Sequence, residues 1–220
     1  MLRLINPSKA EEIITQYASA ISGIAQRYHF PAALLKAVLY KEMTQIDMMD
    51  PLADLAVRFG ISGKQDSSTG YAQIFGYVAL NALNFAVDRG ITDYRAVGIS
   101  TDHRLDPGNR EDVRMIWQIL HEDPVRNMEF AALNLLSCAE EMTGRIDFGH
   151  YTDGEMKLIL TRYNANTKEV TPYGEDSFRH YRRYLAEEGK QAAEGKQAAE
   201  GKPAEEGKRA EEDHPAAEKR

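Results

Sequence analysis

Cysteine is almost missing from this chain. Cys138 is the single one in 220 residues, so no internal disulfide can form and stability has to come from a packed core. It falls in the apolar series Phe130, Leu133, Leu136 and reads as a small hydrophobe, because no His accompanies it in a recognisable catalytic pattern. No run approaches the ~18 apolar residues of a membrane span, so no integral membrane segment is expected. The opening stretch MLRLINPSKAEE has neither an apolar run nor a small-residue cleavage site. On that reading, a target outside the cytoplasm is reached by lysis, by a dedicated secretion machine or within a larger assembly. Positive charge is not in excess either: 27 Lys and Arg against 34 Asp and Glu leave a net −7, which speaks against a general nucleic-acid binder. A neutral or mixed-charge polymer such as a glycan remains open as a partner. There is no phosphate-cradling loop and no Ser-centred elbow. Asp102, His103 and Asp106 share one loop but lack ligand spacing, so no metal and no cofactor is expected. Alternating strand pattern is nearly absent, a small hairpin in Ser62–Gly70 being the one candidate.

What is present is helical periodicity over an apolar fraction of 43%, enough for a real core. Residues 1–186 read as one mainly α domain and 187–220 as a low-complexity charged tail. Ser8 and Glu11 form a capping box that predicts a helix to about Arg27. Asp50–Pro51 predicts another, closed by Gly60. A helix follows Ile74, and Ile91–Arg110 reads as an irregular loop with one short helix. Val113–Leu120 predicts a short helix, Asp123–Pro124 opens a long one, Thr152 and Glu155 cap the next, and a last helix spans about Glu175–Leu185. In the tail, Glu-Gly-Lys recurs at Glu188, Glu194, Glu200 and Glu206 without apolar residues to bury, which predicts a disordered or fraying segment. A solvated tether is the plainer role for it, and a secretion or phage-assembly partner the alternative.

The stretch Pro31–Glu42, PAALLKAVLYKE, organises the rest. Pro31 suits the first helical position, and Leu35, Val38 and Leu39 make an apolar face that Glu42 continues. A carboxylate in line with a core-facing stripe, at the negative end of a helix dipole, is pushed toward its neutral form. A neutral carboxylic acid is what a general acid requires, whereas a helix ending near Tyr40 would leave Glu42 in water.

Four features then follow in order: the Glu42 helix, Gly70-Tyr71-Ala72-Gln73-Ile74, the long helix after Asp123–Pro124, and Arg162-Tyr163-Asn164-Ala165-Asn166. Over about Tyr28–Tyr184 this resembles the lysozyme-like lytic transglycosylases, the soluble lytic type related to goose-type lysozymes. In that family a helix ends in a catalytic Glu, usually followed by Ser, and Gly-Leu-Met-Gln, an Asn-containing helix and Tyr-Asn-Ala-Gly come after it. The resemblance implies a lysozyme-like helical domain that cleaves the glycan strand of peptidoglycan. It implies Glu42 as general acid, Gly70, Tyr71 and Gln73 along the sugar groove, Tyr163 near the Glu42 carboxyl with Asn164 beside it, and Asn127 or Asn134, with Asn127 preferred, as the Asn of the long helix.

The departures are Met43 in place of Ser, Tyr71-Ala72 in place of Leu-Met, Asn166 in place of Gly, and a longer separation from Glu42 to Gly70. Met43 and Asn166 motivate the alternative of a domain that binds peptidoglycan or chitooligosaccharide without cleaving it. Hydrolysis with inversion needs a second carboxylate roughly 6.5–9.5 Å from the acid. Asp66 is the first candidate, Asp47 the next, and an Asx-turn is the plainer role for Asp66. Without such a base, the family route is attack by the sugar's own C6 hydroxyl, giving a 1,6-anhydro product.

Overall fold

The computed structural model describes residues 3–200, apart from the side chains of 62 and 195–200. Among these residues the chain is mainly helical: α1 (Pro7–Gln16), α2 (Ala18–Arg27), α3 (Ala32–Met43), α4 (Met49–Arg58), a 3-10 turn (Ile61–Gly63), a hairpin of β1 (Ser68–Thr69) and β2 (Ile74–Phe75), α5 (Gly76–Asp88), α6 (Arg110–Glu122), α7 (Pro124–Thr143), α8 (Asp153–Asn164) and α9 (Pro172–Glu200). No described helix is long and apolar enough to cross a membrane.

Two helices make the centre. Eight of the twelve residues of α3 are buried, so it is apolar on nearly every side and can be enclosed by α1, α2, α7 and α9. In α7, twelve of twenty residues are buried, against α5, α6, α8 and α2. Local signals set the ends of several elements. The Asp123 carboxylate accepts from the amides of Val125 (2.9 Å) and Arg126 (3.1 Å), with Pro124 in the first turn, and Thr152 and Glu155 form the reciprocal capping box. The hairpin is antiparallel, Ser68 opposite Phe75 and Thr69 opposite Ile74, joined by Gly70–Gln73.

Several expectations are corrected. The single helix predicted from Ser8 to Arg27 is two. Its cap is Asn6, which accepts from Lys9 N at 2.9 Å, and it breaks at Tyr17 (φ −98°, ψ 12°). The bend keeps Ala10, Ile13 and Ile14 on the core in one half and Ile21, Ile24 and Ala25 in the other. Pro31 is the cap of α3 rather than its first residue. α4 starts at Met49, whose amide is held by Asp47 Oδ1 at 2.7 Å, and buries only Val57, leaving Met48, Met49, Leu52, Leu55 and Phe59 exposed. The segment 91–109 has no helix. Buried Val97, Ile99 and Leu105 anchor it instead, and Asn84 Nδ2 donates to Leu105 O at 2.9 Å. Finally, α9 runs well past Leu185. Ala, Glu, Lys and Gln favour the helix, and Lys36 Nζ ties Glu188 to α3 at 2.7 Å, so the first part of the expected tail continues the last helix. The rest of the tail, 201–220, lies outside the described residues.

Candidate active site

The last turn of α3 carries Glu42, 6% exposed. The first turn of α9 lies against it, and Tyr173 Oη donates a hydrogen bond to Glu42 Oε1. Next to that contact Lys41 Nζ pairs with Asp176, so α9 is fixed to the end of α3 twice within one turn. Burial is the main cause that raises the Glu42 pKa, to about 7; the Tyr173 hydrogen bond and the Lys41 charge pull it down, and the Asp50 charge pushes it up. Met43, which stands where the family pattern has Ser, is fully buried in the core. Polar support for the Glu42 carboxyl comes from Tyr173 instead.

Glu42 lines a cavity of about 520 Å³, together with Gln73, Asn134, Tyr163, Asn164 and Asn166. Tyr163 Oη donates to Ala72 O at 3.0 Å, joining α8 to the hairpin turn, and burial and the Glu42 charge raise its phenol well above 10. Gln73 is held at φ +44°, with its Nε2 donating to Gly70 O at 2.8 Å. Gly70 has φ +68°, and a Cβ on it would stand 2.3 Å from Asn127 Nδ2, so both the angle and the space require glycine. The structure thus brings Glu42, Gln73, Tyr163 and Asn164 to one cavity. Gly70 and Tyr71 line an adjoining depression of about 300 Å³ that shares Gln73 with it.

Two expected site residues are placed elsewhere. Asn127 is fully buried behind the turn; its Oδ1 accepts from Ala72 N at 2.8 Å and its Nδ2 donates to Thr69 O at 2.9 Å. It shapes the turn, and Asn134, one helical face along α7, is the Asn that reaches the cavity. Asp66 accepts from the amides of Gly76 (2.7 Å) and Tyr77 (3.0 Å) at the start of α5. Its pKa is raised by burial against those amides, and it does not line the Glu42 cavity. Asp47 is taken up with the start of α4.

The sequence gives no sign of a site role for Tyr173 or Asp50. Tyr173 lies 131 residues from Glu42, and a Thr-Pro-Tyr helix start gives no sign of its partner. Asp50 belongs to the Asp50–Pro51 helix start, yet it lines the 300 Å³ depression and its charge pushes the Glu42 pKa up. No group of three or more His, Cys, Asp or Glu side chains converges for a metal among the described residues. Chemically, the cavity sets a carboxyl shifted toward its neutral form beside amides, hydroxyls and the Glu141–Arg162 ion pair, an arrangement able to give a proton to the oxygen of a bound ether or acetal. Comparison with protein-family models, curated proteins and solved structures found no match to this chain.

Proposed function

We propose that this chain is a peptidoglycan-cleaving enzyme of the lytic transglycosylase or muramidase type. It cuts the β-1,4 bond between N-acetylmuramic acid and N-acetylglucosamine by general-acid catalysis at Glu42. The observation that carries the reading is a buried carboxyl, raised to about 7, at the wall of a cavity that also presents side-chain amides, phenols and the Glu141–Arg162 ion pair. The motif order in the sequence supports the same reading.

In the proposed reaction Tyr173 holds Oε1, leaving Oε2 to carry the proton. That proton passes to the glycosidic oxygen, the C1–O bond breaks with its electron pair on the leaving sugar, and an oxocarbenium-like centre develops. The side-chain amides of Gln73, Asn134 and Asn164 are of the kind that hydrogen-bond N-acetyl groups and hydroxyls. The centre is then captured by water, giving a reducing end, or by the sugar's own C6 hydroxyl, giving a 1,6-anhydro end, and the attacking hydroxyl's proton passes to the Glu42 carboxylate, which restores the acid. Asp66 is bound to backbone amides and so does not serve as the base that hydrolysis would need.

Mass spectrometry of peptidoglycan digested by the protein tests the reading. Muropeptides released by the wild type and lost in Glu42→Gln, with helical content retained, are expected. Equal release by that variant would remove the mechanism.

A further inference from the structure

Asn81 lines the Glu42 cavity and also lines a further depression of about 450 Å³. The two meet at Asn81 on one face of α5, where Tyr77, Asn81 and Phe85 recur at four-residue spacing and Asp88 follows. From Tyr77 to Asp88 that face spans about 16 Å at 1.5 Å per residue. With the depression on the Gln73 side, the Glu42 cavity is the middle one of three neighbouring hollows, sharing Gln73 with one and Asn81 with the other.

The far wall of the third hollow comes from the 91–109 segment through Arg104, Asp106 and Pro107. This wall is preformed. Leu105 is 2% exposed, and its amide donates to Tyr94 Oη at 3.3 Å. Tyr94 Oη in turn donates to Asn84 Oδ1 at 2.6 Å, and Asp106 N donates to Asp112 Oδ2 at 2.8 Å. The chemistry is that of a neutral, hydroxylated ring. Phe85 offers an apolar surface, and Asn81 keeps its Oδ1 as an acceptor while Nδ2 donates to Tyr77 O at 2.9 Å. Arg104 is committed to Asp88 at 2.9 Å, so Asp106 leaves the hollow with one net negative charge, which disfavours an anionic ligand.

We infer that this third hollow holds a neutral sugar ring of the same strand that is cut at Glu42, so that the enzyme engages the interior of a long glycan. The inference rests on the glycan reading above. It is tested with the full chain carrying Glu42→Gln to block turnover, titrated with chitotriose and chitohexaose and followed by NMR. The hexamer is expected to bind at least tenfold more tightly and to shift the Asn81 side-chain amide and the backbone amides of 104–106. Phe85→Leu, which removes the ring, and Pro107→Trp, which fills the hollow, are expected to bring the hexamer down to trimer affinity with trimer binding unchanged. Equal affinity of trimer and hexamer, no binding of either, or hexamer shifts confined to the Glu42 cavity would overturn the assignment. Cleavage of peptidoglycan by the wild type beside equal affinities would leave the glycan-cleaving reading standing without the hollow. Shifts at 104–106 without any cleavage would do the reverse.

Discussion

At Glu42 the sign of the pH dependence follows from burial. The unfolded chain ionises this side chain from about 4.5 and the folded chain from about 7, so the folded state binds more protons in between and stability falls as pH rises through that window. Below it, Glu42→Gln and wild type have nearly equal stability. Above pH 7 the variant is expected to be more stable by about 3 kcal/mol, since the neutral amide escapes the cost of a buried charge. Thermal denaturation at pH 4 and pH 8 checks this. Activity carried by the protonated acid falls as pH rises through about 7. Tyr173→Phe removes a hydrogen bond that favours the carboxylate, so the alkaline limb of the rate profile moves to higher pH. A downward move would contradict the contact. Glu129 is the other buried carboxylate on a central helix, and it is taken up wholly by Arg27, Arg126 and Tyr28. Glu129→Ala takes a partner from the buried Tyr28 hydroxyl and releases two partly exposed arginines to solvent, and is expected to cost about 1–3 kcal/mol in urea unfolding without moving the pH profile. At this scale the burial of Glu42 was legible because its position on an apolar stripe is a local property. The role of Tyr173 was not legible, because it depends on a contact with a helix 131 residues away.

Among the elements, the hairpin turn depends most on a side chain outside it. Asn127 fills the backbone needs of both Thr69 and Ala72 from within α7. Asn127→Ala leaves a buried carbonyl and a buried amide unpaired and is expected to cost about 2–4 kcal/mol. Because the turn then relaxes Gln73, cleavage should fall more steeply than stability alone accounts for, as kcat measured well below the melting temperature would show. α4 behaves in the opposite way. Leu52 and Phe59 are 56% and 67% exposed, so Leu52→Gln and Phe59→Gln are expected to leave stability within about 0.5 kcal/mol. Elements were legible where their ends carry their own capping chemistry, as at Asp123–Pro124 and Thr152–Glu155. The division at Tyr17 was not legible, because neither Gly nor Pro marks it and only packing against the core requires it. Nor was the length of α9, where a lack of apolar residues hid a run of good helix formers.

For the whole molecule, the mainly helical body was readable from periodicity, while the way its two ends close on each other was not. α9 packs along α3 and α8 through buried Tyr173, Ser177, Phe178, Tyr181 and Tyr184, and Arg183 reaches Glu11 on α1 at 2.6 Å. A chain stopped after Lys190 keeps all of these contacts and is expected to retain the melting temperature and activity of the full protein. A chain stopped after Thr171 loses them and is expected to be unable to hold a unique fold, which near-ultraviolet circular dichroism would show. The clasp of Tyr173 on Glu42 also sets an order in time. While the protein is being synthesised, the acid stays wet and ordinary until the segment that dries it has emerged from the ribosome and docked. A half-made chain therefore carries an ordinary carboxylate, and the shifted acid arises only with the closing of the fold.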